Sequence, residues 1–86
     1  MNFIKEPNKI YFKDEAGKLL AEITYEEIEK GIYNIDHTFV DESLRGQGIA
    51  SKLVEEAVKE IEAKGGKVEA TCSYARSWLE KHQFEK

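Results

Sequence analysis

Apolar residues recur in the middle of the chain at the spacing of a helix. Between Gly48 and Lys64 every fourth position is apolar and two valines lie beside this stripe, which comprises Ile49, Leu53, Val54, Ala57, Val58 and Ile61. The opposite side is charged, so the segment predicts an amphipathic helix packed on a core. Gly65 and Gly66 follow, and glycine readily adopts the left-handed conformation that ends a helix.

Alternating residues ahead of this helix predict a β-hairpin. Lys9–Asp14 is rich in strand formers, and Leu19–Ile28 places Ala21, Ile23 and Tyr25 on one side at a period of two. The two segments are separated by a turn signal centred on Gly17.

A third and longer strand is predicted over Ile32–Val40, after a break at Gly31. With a regular pleat, Ile35, His37 and Phe39 would share one of its faces. After the amphipathic helix, Lys67–Cys72 predicts a short strand. Ser73–His82 then predicts a second, shorter helix with Ser73 as its N-cap.

This order of three strands, helix, strand and helix predicts an α/β fold of the α+β type, built on a mixed sheet. An antiparallel meander would be followed by a helix–strand–helix unit that crosses over to a parallel strand. The 86 residues predict one domain spanning residues 1–86. Ligands of such sheets bind at the carboxyl ends of strands, beside the next helix.

Composition excludes several classes of protein. A formal net charge of −4 argues against nucleic acid as the main partner, and no apolar run is long enough for a membrane span. The chain starts without the apolar stretch of a secretory signal, and Cys72 is its only cysteine. We therefore expect a cytoplasmic protein, as a monomer or a weak dimer, without a metal site.

The stretch RGQGIA, from Arg45 to Ala50, places two glycines where the amphipathic helix is about to start. A helix start exposes unpaired N–H groups and partial positive charge, so it can bind an anion. Glycines let a phosphate approach the backbone closely, and Arg45 adds a charged donor. The alternative is a glycine-rich turn without a ligand, and spacing alone leaves both interpretations open.

RGQGIA also has the form R-x-x-G-x-[GA], which resembles the acetyl-CoA pyrophosphate loop of the GNAT superfamily of N-acetyltransferases. The wider run HTFVDESLRGQGIASKLV and the later CSYARSWLEKHQF resemble a compact, single-domain GNAT-like subfamily. The resemblance covers about Gly31 to Phe84. It implies a minimal GNAT fold and transfer of an acetyl group from acetyl-CoA to an amine or thiol acceptor, which includes groups on a protein.

The resemblance also implies positions for the cofactor. Backbone groups of Thr38, Phe39 and Val40 would pair with the pantetheine arm of CoA. The pyrophosphate would lie on the backbone amides of the loop and the first helical turn, which belong to Arg45, Gly46, Gln47, Gly48, Ile49, Ala50 and Ser51. The alternative function is a module that binds CoA or acyl-CoA with little or no transfer.

The last helix departs from the family pattern N-x-x-A-x-x-L-Y-E-K-x-G-F. Leu79 takes the position of the tyrosine that serves as general acid, and Cys72 takes that of the asparagine. The resemblance brings the CoA sulfur near Cys72, which is therefore a candidate catalytic and cofactor-binding thiol; the alternative is a small, buried structural residue. His37 is a candidate base by its chemistry, or a histidine held within the strand framework.

The resemblance implies a strand and helices ahead of the meander that build an acceptor pocket. The residues before Gly31 supply a hairpin and little else, so we expect an open cleft for the acceptor. Trp78 and Phe84 are predicted to belong to the core or the cleft wall. Tyr74 and Arg76 start the last helix and are predicted to border the cofactor.

Overall fold

A computed structural model describes residues 3–83 of the chain. Within these residues the elements are five strands, one short 3-10 helix and two α-helices. In chain order they are β1 (Ile4–Glu6), β2 (Lys9–Lys13), β3 (Leu19–Glu29), β4 (Ile32–Val40), the 3-10 helix (Glu42–Leu44), α1 (Ile49–Ala63), β5 (Lys67–Ala70) and α2 (Ser73–Gln83). Phe84, predicted to be a core or cleft residue, lies outside the described part of the chain.

The predicted mixed sheet is confirmed. Strands β1 to β4 pair antiparallel in chain order, and β5 adds to β4 in parallel after the α1 crossover. The pattern of residues did not predict β1, which has only three residues and pairs with β2 across the turn at Pro7 and Asn8. Pro-Asn is itself a turn signal that points to a hairpin here.

One face of the sheet packs on both helices. The stripe predicted for α1 is confirmed, because Leu53, Val54, Ala57 and Ile61 are fully buried. Ala21, Ile23 and Tyr25 of β3 are buried as the period of two predicts. A large apolar side chain buried in this way contributes about 1.5–3 kcal/mol relative to exposure. The whole buried cluster comprises Ile10, Ala21, Ile23, Tyr25, Ile35, Leu53, Val54, Ala57, Ile61 and Ala75.

A β-bulge in β4 overturns the prediction that Ile35, His37 and Phe39 share a face. Tyr25 pairs with Ile35 but Thr24 pairs with His37, so Asp36 is an extra residue on β4. An extra residue reverses the alternation beyond it. Ile35 faces the core, whereas His37 is exposed on the opposite face of the sheet.

The same bulge turns Thr38 and Val40 toward the helices. These residues pair with Ile23 and Ala21, which are both fully buried in the core. The carboxylate of Asp36 accepts a hydrogen bond from the Thr24 hydroxyl at 2.6 Å, which holds the bulged residue in place.

Neither helix in the described part of the chain has the length and apolar character needed to cross a bilayer.

An ion-pair cluster fastens the edge strand β1 to α1. The Lys5 ammonium lies 2.9 Å from a Glu56 carboxylate oxygen and 3.3 Å from one of Glu60. The hydrogen bond from Lys5 lowers the pKa of Glu56, and the hydrogen bond to Glu56 raises the pKa of Lys5.

Replacement of Glu56 by Gln should destabilise the protein by less than about 1 kcal/mol at neutral pH, the range of surface ion pairs. The folded pKa of Glu56 lies below its ordinary value of 4.5. Its stabilisation is therefore present above the unfolded pKa and lost as the pH falls through the folded pKa. Thermal unfolding across pH 7 to 3 would measure this effect, with the more exposed Glu55→Gln as the control. A difference from wild type that persists at the acid end would contradict the prediction.

Candidate functional site

Strands β4 and β5 separate in the middle of β4. They pair only from Ile32 to Ile35, opposite Lys67–Ala70, while β4 continues to Val40. At the point of separation the carbonyl of Ile35 accepts hydrogen bonds from the N–H groups of both Thr71 and Cys72, at 3.1 and 3.2 Å. Within residues 3–83, the edge of β4 beyond this point therefore has no partner strand on the β5 side.

A cleft of about 410 Å³ lies between this free part of β4 and the amino ends of the two helices. It starts at the loop that precedes α1 and extends along β4 to Thr38, with the first turn of α2 beside it. Its lining residues are Thr38, Val40, Leu44, Arg45, Gly46, Gly48, Ile49, Ala50 and Tyr74.

The loop before α1 needs glycine at two positions. Gly46 has a φ of 82° and Gly48, the N-cap of α1, has a φ of 73°. Both values lie in the left-handed region, where a Cβ causes strain. A Cβ built on either glycine would meet nothing within 4 Å, so the backbone here faces open space. Backbone conformation and access to the cleft, rather than crowding by protein atoms, account for these two glycines.

The amino end of α1 is electrostatically suited to an anion. The first intrahelical bond runs from the N–H of Lys52 to the carbonyl of Gly48. None of the described residues accepts a hydrogen bond from the N–H groups of Gly48 to Ser51, and the first turn holds no acidic side chain. The helix dipole adds partial positive charge to these N–H groups.

Two cations lie beside this helix end. The exposed Arg45 side chain lines the cleft and has no ion-pair partner within residues 3–83. Lys52 lies one turn into α1 and is held 3.4 Å from Glu55. Arg45 is therefore the cation whose charge remains available to a ligand in the cleft.

Asp41 stabilises the approach to the loop. Its carboxylate accepts hydrogen bonds from the N–H of Ser43 at 3.1 Å and from the Ser43 hydroxyl at 2.7 Å. These two bonds lower the pKa of Asp41. The short 3-10 helix is capped in this way, which fixes where Arg45 leaves it.

Cys72 is the N-cap of α2, and the prediction that Ser73 has this role is wrong. The carbonyl of Cys72 accepts the first intrahelical bond, from the N–H of Arg76 at 2.9 Å, as an N-cap residue does. The N–H groups of Ala75 and Tyr74, at the start of α2, favour negative charge on the sulfur and act to lower the pKa of Cys72.

The surroundings of Cys72 favour its thiolate. Partial burial acts to raise the pKa, but hydrogen bonding with the Ala75 N–H, the Thr38 hydroxyl and the Tyr74 N–H outweighs it and holds the pKa below its usual range. The sulfur lies 3.5 Å from the Thr38 Oγ1, which connects it to the end of the cleft. A half-buried thiol with stabilised negative charge is the type that reacts with electrophiles.

Trp78 fastens α2 to the beginning of α1. Its indole N–H donates to the Ser51 hydroxyl at 2.9 Å, and its ring stacks on His82 with the ring centroids 3.7 Å apart. Trp78 packs against the core, consistent with its prediction as a core or cleft-wall residue. The two helix ends that flank the cleft are therefore fixed relative to each other.

The cleft gathers most of the residues predicted to bind the cofactor: Thr38, Val40, Arg45, Gly46, Gly48, Ile49 and Ala50. Cys72 joins them through Thr38. Phe39 does not, because it pairs with Glu22 on the opposite face of the sheet. The side chains of Gln47 and Ser51 do not line the cleft either, and His37 lies on the same face as Phe39.

Two features of the site escaped the sequence analysis. Leu44 lines the cleft. It directly precedes the arginine of the loop motif, and this position could have indicated that Leu44 belongs to the site. The Thr38 side chain contacts Cys72, whereas the resemblance implied only a backbone role. The bulge at Asp36 produces this contact, and the pattern of residues carries no clear sign of the bulge. Among residues 3–83, no group of three His, Cys, Asp or Glu side chains is arranged to hold a metal.

Comparison with known proteins identifies the family of this arrangement. The sequence profile of the GCN5-related N-acetyl-transferase family matches residues 9–86. A GCN5-like protein from Staphylococcus aureus is 37% identical, with a TM-score of 0.79, and the match covers 96% of this chain and 81% of that one. No curated protein matches the chain.

Two larger proteins share part of the structure. An acetyltransferase from Bacillus cereus is 32% identical with a TM-score of 0.59, over 66% of this chain and 40% of that one. A GNAT family N-acetyltransferase from Escherichia coli, solved in complex with CoA, has the same fold, with a TM-score of 0.59 and 22% identity. The match covers 67% of this chain and 35% of the E. coli chain, so this chain spans less than half of either protein.

The contact between Thr38 and Cys72 leads to a prediction about thiol reactivity. Thr38→Val removes a hydroxyl that stabilises the thiolate, so the pKa of Cys72 should rise. The rate of alkylation by iodoacetamide, measured across pH, would report this rise as a shift of the midpoint to higher pH. Ser77→Ala is the control, because it removes an exposed hydroxyl of α2 and leaves the bulge in β4 intact. An unchanged midpoint in Thr38→Val would show that this hydrogen bond does not control the thiol.

Proposed function

Because the chain belongs to the GCN5-related N-acetyltransferase family, we propose that it transfers an acetyl group from acetyl-CoA to an amine. The observation that carries the proposal is the cleft where β4 leaves β5. It extends from a helix end that is suited to an anion to the Thr38 side chain, which contacts the sulfur of Cys72. A ligand with phosphates at one end and a reactive sulfur at the other matches this order of groups.

The chemistry of the residues fits CoA. The N–H groups from Arg45 to Ser51 would bind the pyrophosphate, with the guanidinium of Arg45 beside it. The free edge of β4 from Thr38 to Val40 would pair through its backbone with the amides of the pantetheine arm. CoA supplies the activated thioester when bound, and the chain supplies its position.

Positioning is the main contribution of the protein to catalysis in this proposal. Holding the thioester and the amine in contact converts a reaction between two molecules into one within a complex. Backbone N–H groups on the free edge of β4 would stabilise the negative charge that develops on the carbonyl oxygen.

Cys72 is the side chain that we assign to the reacting end of the cleft. In a thiol relay its thiolate attacks the acetyl carbonyl carbon, the bond from that carbon to the CoA sulfur breaks, and CoA leaves as a thiolate. The amine then attacks the acetyl group on Cys72, loses a proton to a base and releases the Cys72 thiolate. In the direct route the amine attacks the thioester itself, and Cys72 acts only as a neighbour of the CoA sulfur.

His37 is suited to an acceptor that enters from the open face of the sheet. The proposed cofactor site lies on the helix side of the sheet and His37 on the other, just beyond the point where β4 leaves β5. An exposed neutral imidazole there can accept the proton of an incoming amine. Unchanged turnover in His37→Ala would remove this residue from the mechanism.

A second candidate function is a CoA-binding module with little transfer. It is favoured by Leu79, which is buried and stands where the family resemblance expects a tyrosine acid. A leucine cannot protonate a leaving thiolate. Binding without turnover against a broad set of amines would support this module, and release of CoA with an acetylated amine would support the transferase.

Replacement of Gly48 by Glu should weaken CoA binding by roughly tenfold or more, because it puts a carboxylate where the phosphates would lie. Titration calorimetry with CoA would measure the change. Gly17→Glu is a matched control, since Gly17 also has a left-handed φ, of 85°, and open space around it. If both variants fold and bind CoA like the wild type, the proposed phosphate site is incorrect.

Titration with acetyl-CoA, followed by amide NMR shifts with intact mass recorded on the same sample, separates the proposed routes. We expect shifts centred on Thr38 to Ser51. A gain of one acetyl group that is absent in Cys72→Ser would identify the thiol relay. The same shifts without added mass would agree with both the direct route and the binding module. Turnover against the broad set of amines would then distinguish these two. A wild-type protein that shows no shifts would overturn the proposed ligand.

A further inference from the structure

Strand β5 has an unpaired outer edge. The strand order is β1-β2-β3-β4-β5, and among the described residues no strand pairs with the side of β5 that faces away from β4. An edge of this kind presents backbone N–H and C=O groups to any strand that can align with it. Pairing at this edge does not depend on the proposed function.

The hydrogen bonds to β4 determine which groups point outward. The N–H of Lys67 donates to the Gly31 carbonyl at 2.7 Å and the N–H of Thr71 to the Ile35 carbonyl at 3.1 Å, so these N–H groups point toward β4. Successive residues of a strand direct their backbone groups to opposite sides. Val68 and Ala70 therefore direct their N–H and C=O groups to the free edge.

The side chains of β5 alternate between exposed charged residues and half-buried apolar residues. Val68 and Ala70 are half-buried on the helix side, whereas Lys67 and Glu69 are exposed on the open face of the sheet. A groove of about 370 Å³ adjoins the edge on the helix side. Its apolar lining comes from Val58, Val68, Trp78 and Leu79, and the residues Glu62, Lys67 and His82 also line it. The side chains of the strand are thus apolar on the helix side, with one positive and one negative charge exposed on the alternate positions.

We propose that this edge binds a second copy of the chain, by antiparallel pairing of β5 with β5 about a two-fold axis at Val68. In this register Val68 exchanges both backbone hydrogen bonds with the partner's Val68. Lys67 then lies opposite the partner's Glu69, and Glu69 lies opposite the partner's Lys67. The two strands would form one continuous sheet with the partner.

The charges select this register over its neighbour. An axis at Glu69 would also align outward backbone groups, but it would place the two Glu69 side chains directly opposite each other, which is unfavourable. In the register about Val68, the Ala70 N–H meets the partner's Gly66 carbonyl. The N–H of Gly66 is already bonded to the Ile61 carbonyl at 3.0 Å, so only its carbonyl is required there. On the helix side, the grooves of the two copies adjoin around the paired valines.

A second copy is the occupant because the pattern is complementary to itself. A two-fold contact must match each residue with the residue that its own symmetry brings opposite. A lysine and a glutamate on either side of the residue at the axis meet this condition, because the symmetry forms two pairs of opposite charge. An unrelated strand would need the same alternation by coincidence.

Sedimentation velocity over a concentration series is the first test. The wild type should pass from its 9.9 kDa monomer to a species of twice that mass. Lys67→Glu and Glu69→Lys should each weaken the dimer by roughly tenfold, because each creates two like-charged pairs. The double variant, with both charges exchanged, should restore it. Lys13→Glu, on β2 and three strands away from β5, is the control for a change of net charge.

Backbone hydrogen exchange gives the second readout. The N–H of Val68 and Ala70 should exchange slowly in the dimer and rapidly in the single variants, while core amides such as that of Ile35 stay protected in all of them. A wild type that stays monomeric at the millimolar concentrations of an NMR sample would overturn the proposal. So would a dimer that is insensitive to both single changes, a double variant without rescue, or Val68 amides that exchange at the same rate in monomer and dimer.

Discussion

The site depends on one constraint, the place where two parallel strands stop pairing. The Ile35 carbonyl accepts the N–H groups of both Thr71 and Cys72, and the Asn34 side chain, which is largely buried, donates to the Thr71 hydroxyl at 3.0 Å. These bonds hold the end of β5 against β4 and direct the chain away into α2. The loop before α1 and the amino ends of α1 and α2 lie around the resulting gap.

The bulge at Asp36 completes this arrangement. Without the extra residue, His37 would point toward the helices and Thr38 away from them. With it, the Thr38 hydroxyl reaches the sulfur of Cys72, and the Val40 side chain reaches the cleft at the loop that starts α1. The side-chain contacts that line the cleft therefore follow from a local irregularity in one strand, at a position that is fixed by a hydrogen bond from Thr24.

The sequence predicts the fold well because the fold follows from periodicity. The stripe of α1 and the alternation of β3 bury the residues that they predict, and the glycine pair ends α1 with Gly65 at a φ of 77°. The order of elements also locates the loop correctly. Periodicity cannot predict a bulge, which interrupts the alternation, and so it placed His37 and Phe39 on the wrong face of the sheet. It also did not predict β1, which has only three residues.

The parts of the site that are formed by backbone groups could be predicted from the sequence. The loop glycines and the helix end can be recognised from residue types, because left-handed φ values and a helix start both favour particular residues. The contacts of Cys72 could not be predicted, since they depend on which residue caps α2 and on the orientation of Thr38. Serine is a much commoner cap than cysteine, and the expectation for Ser73 followed that preference.

A helix that is capped by sulfur couples its own stability to the chemical state of that sulfur. The Tyr74 and Ala75 N–H groups that act to lower the pKa of Cys72 belong to the first turn of α2. The thiolate accepts from them more strongly than the thiol, so Cys72 stabilises the folded chain most above its unfolded pKa and loses this contribution as the pH falls through the lower folded value. Alkylation or acylation of the sulfur removes the negative charge from the cap in the same way as protonation. We therefore expect covalent change at Cys72 to weaken the first turn of α2, which also carries the Tyr74 side chain of the cleft.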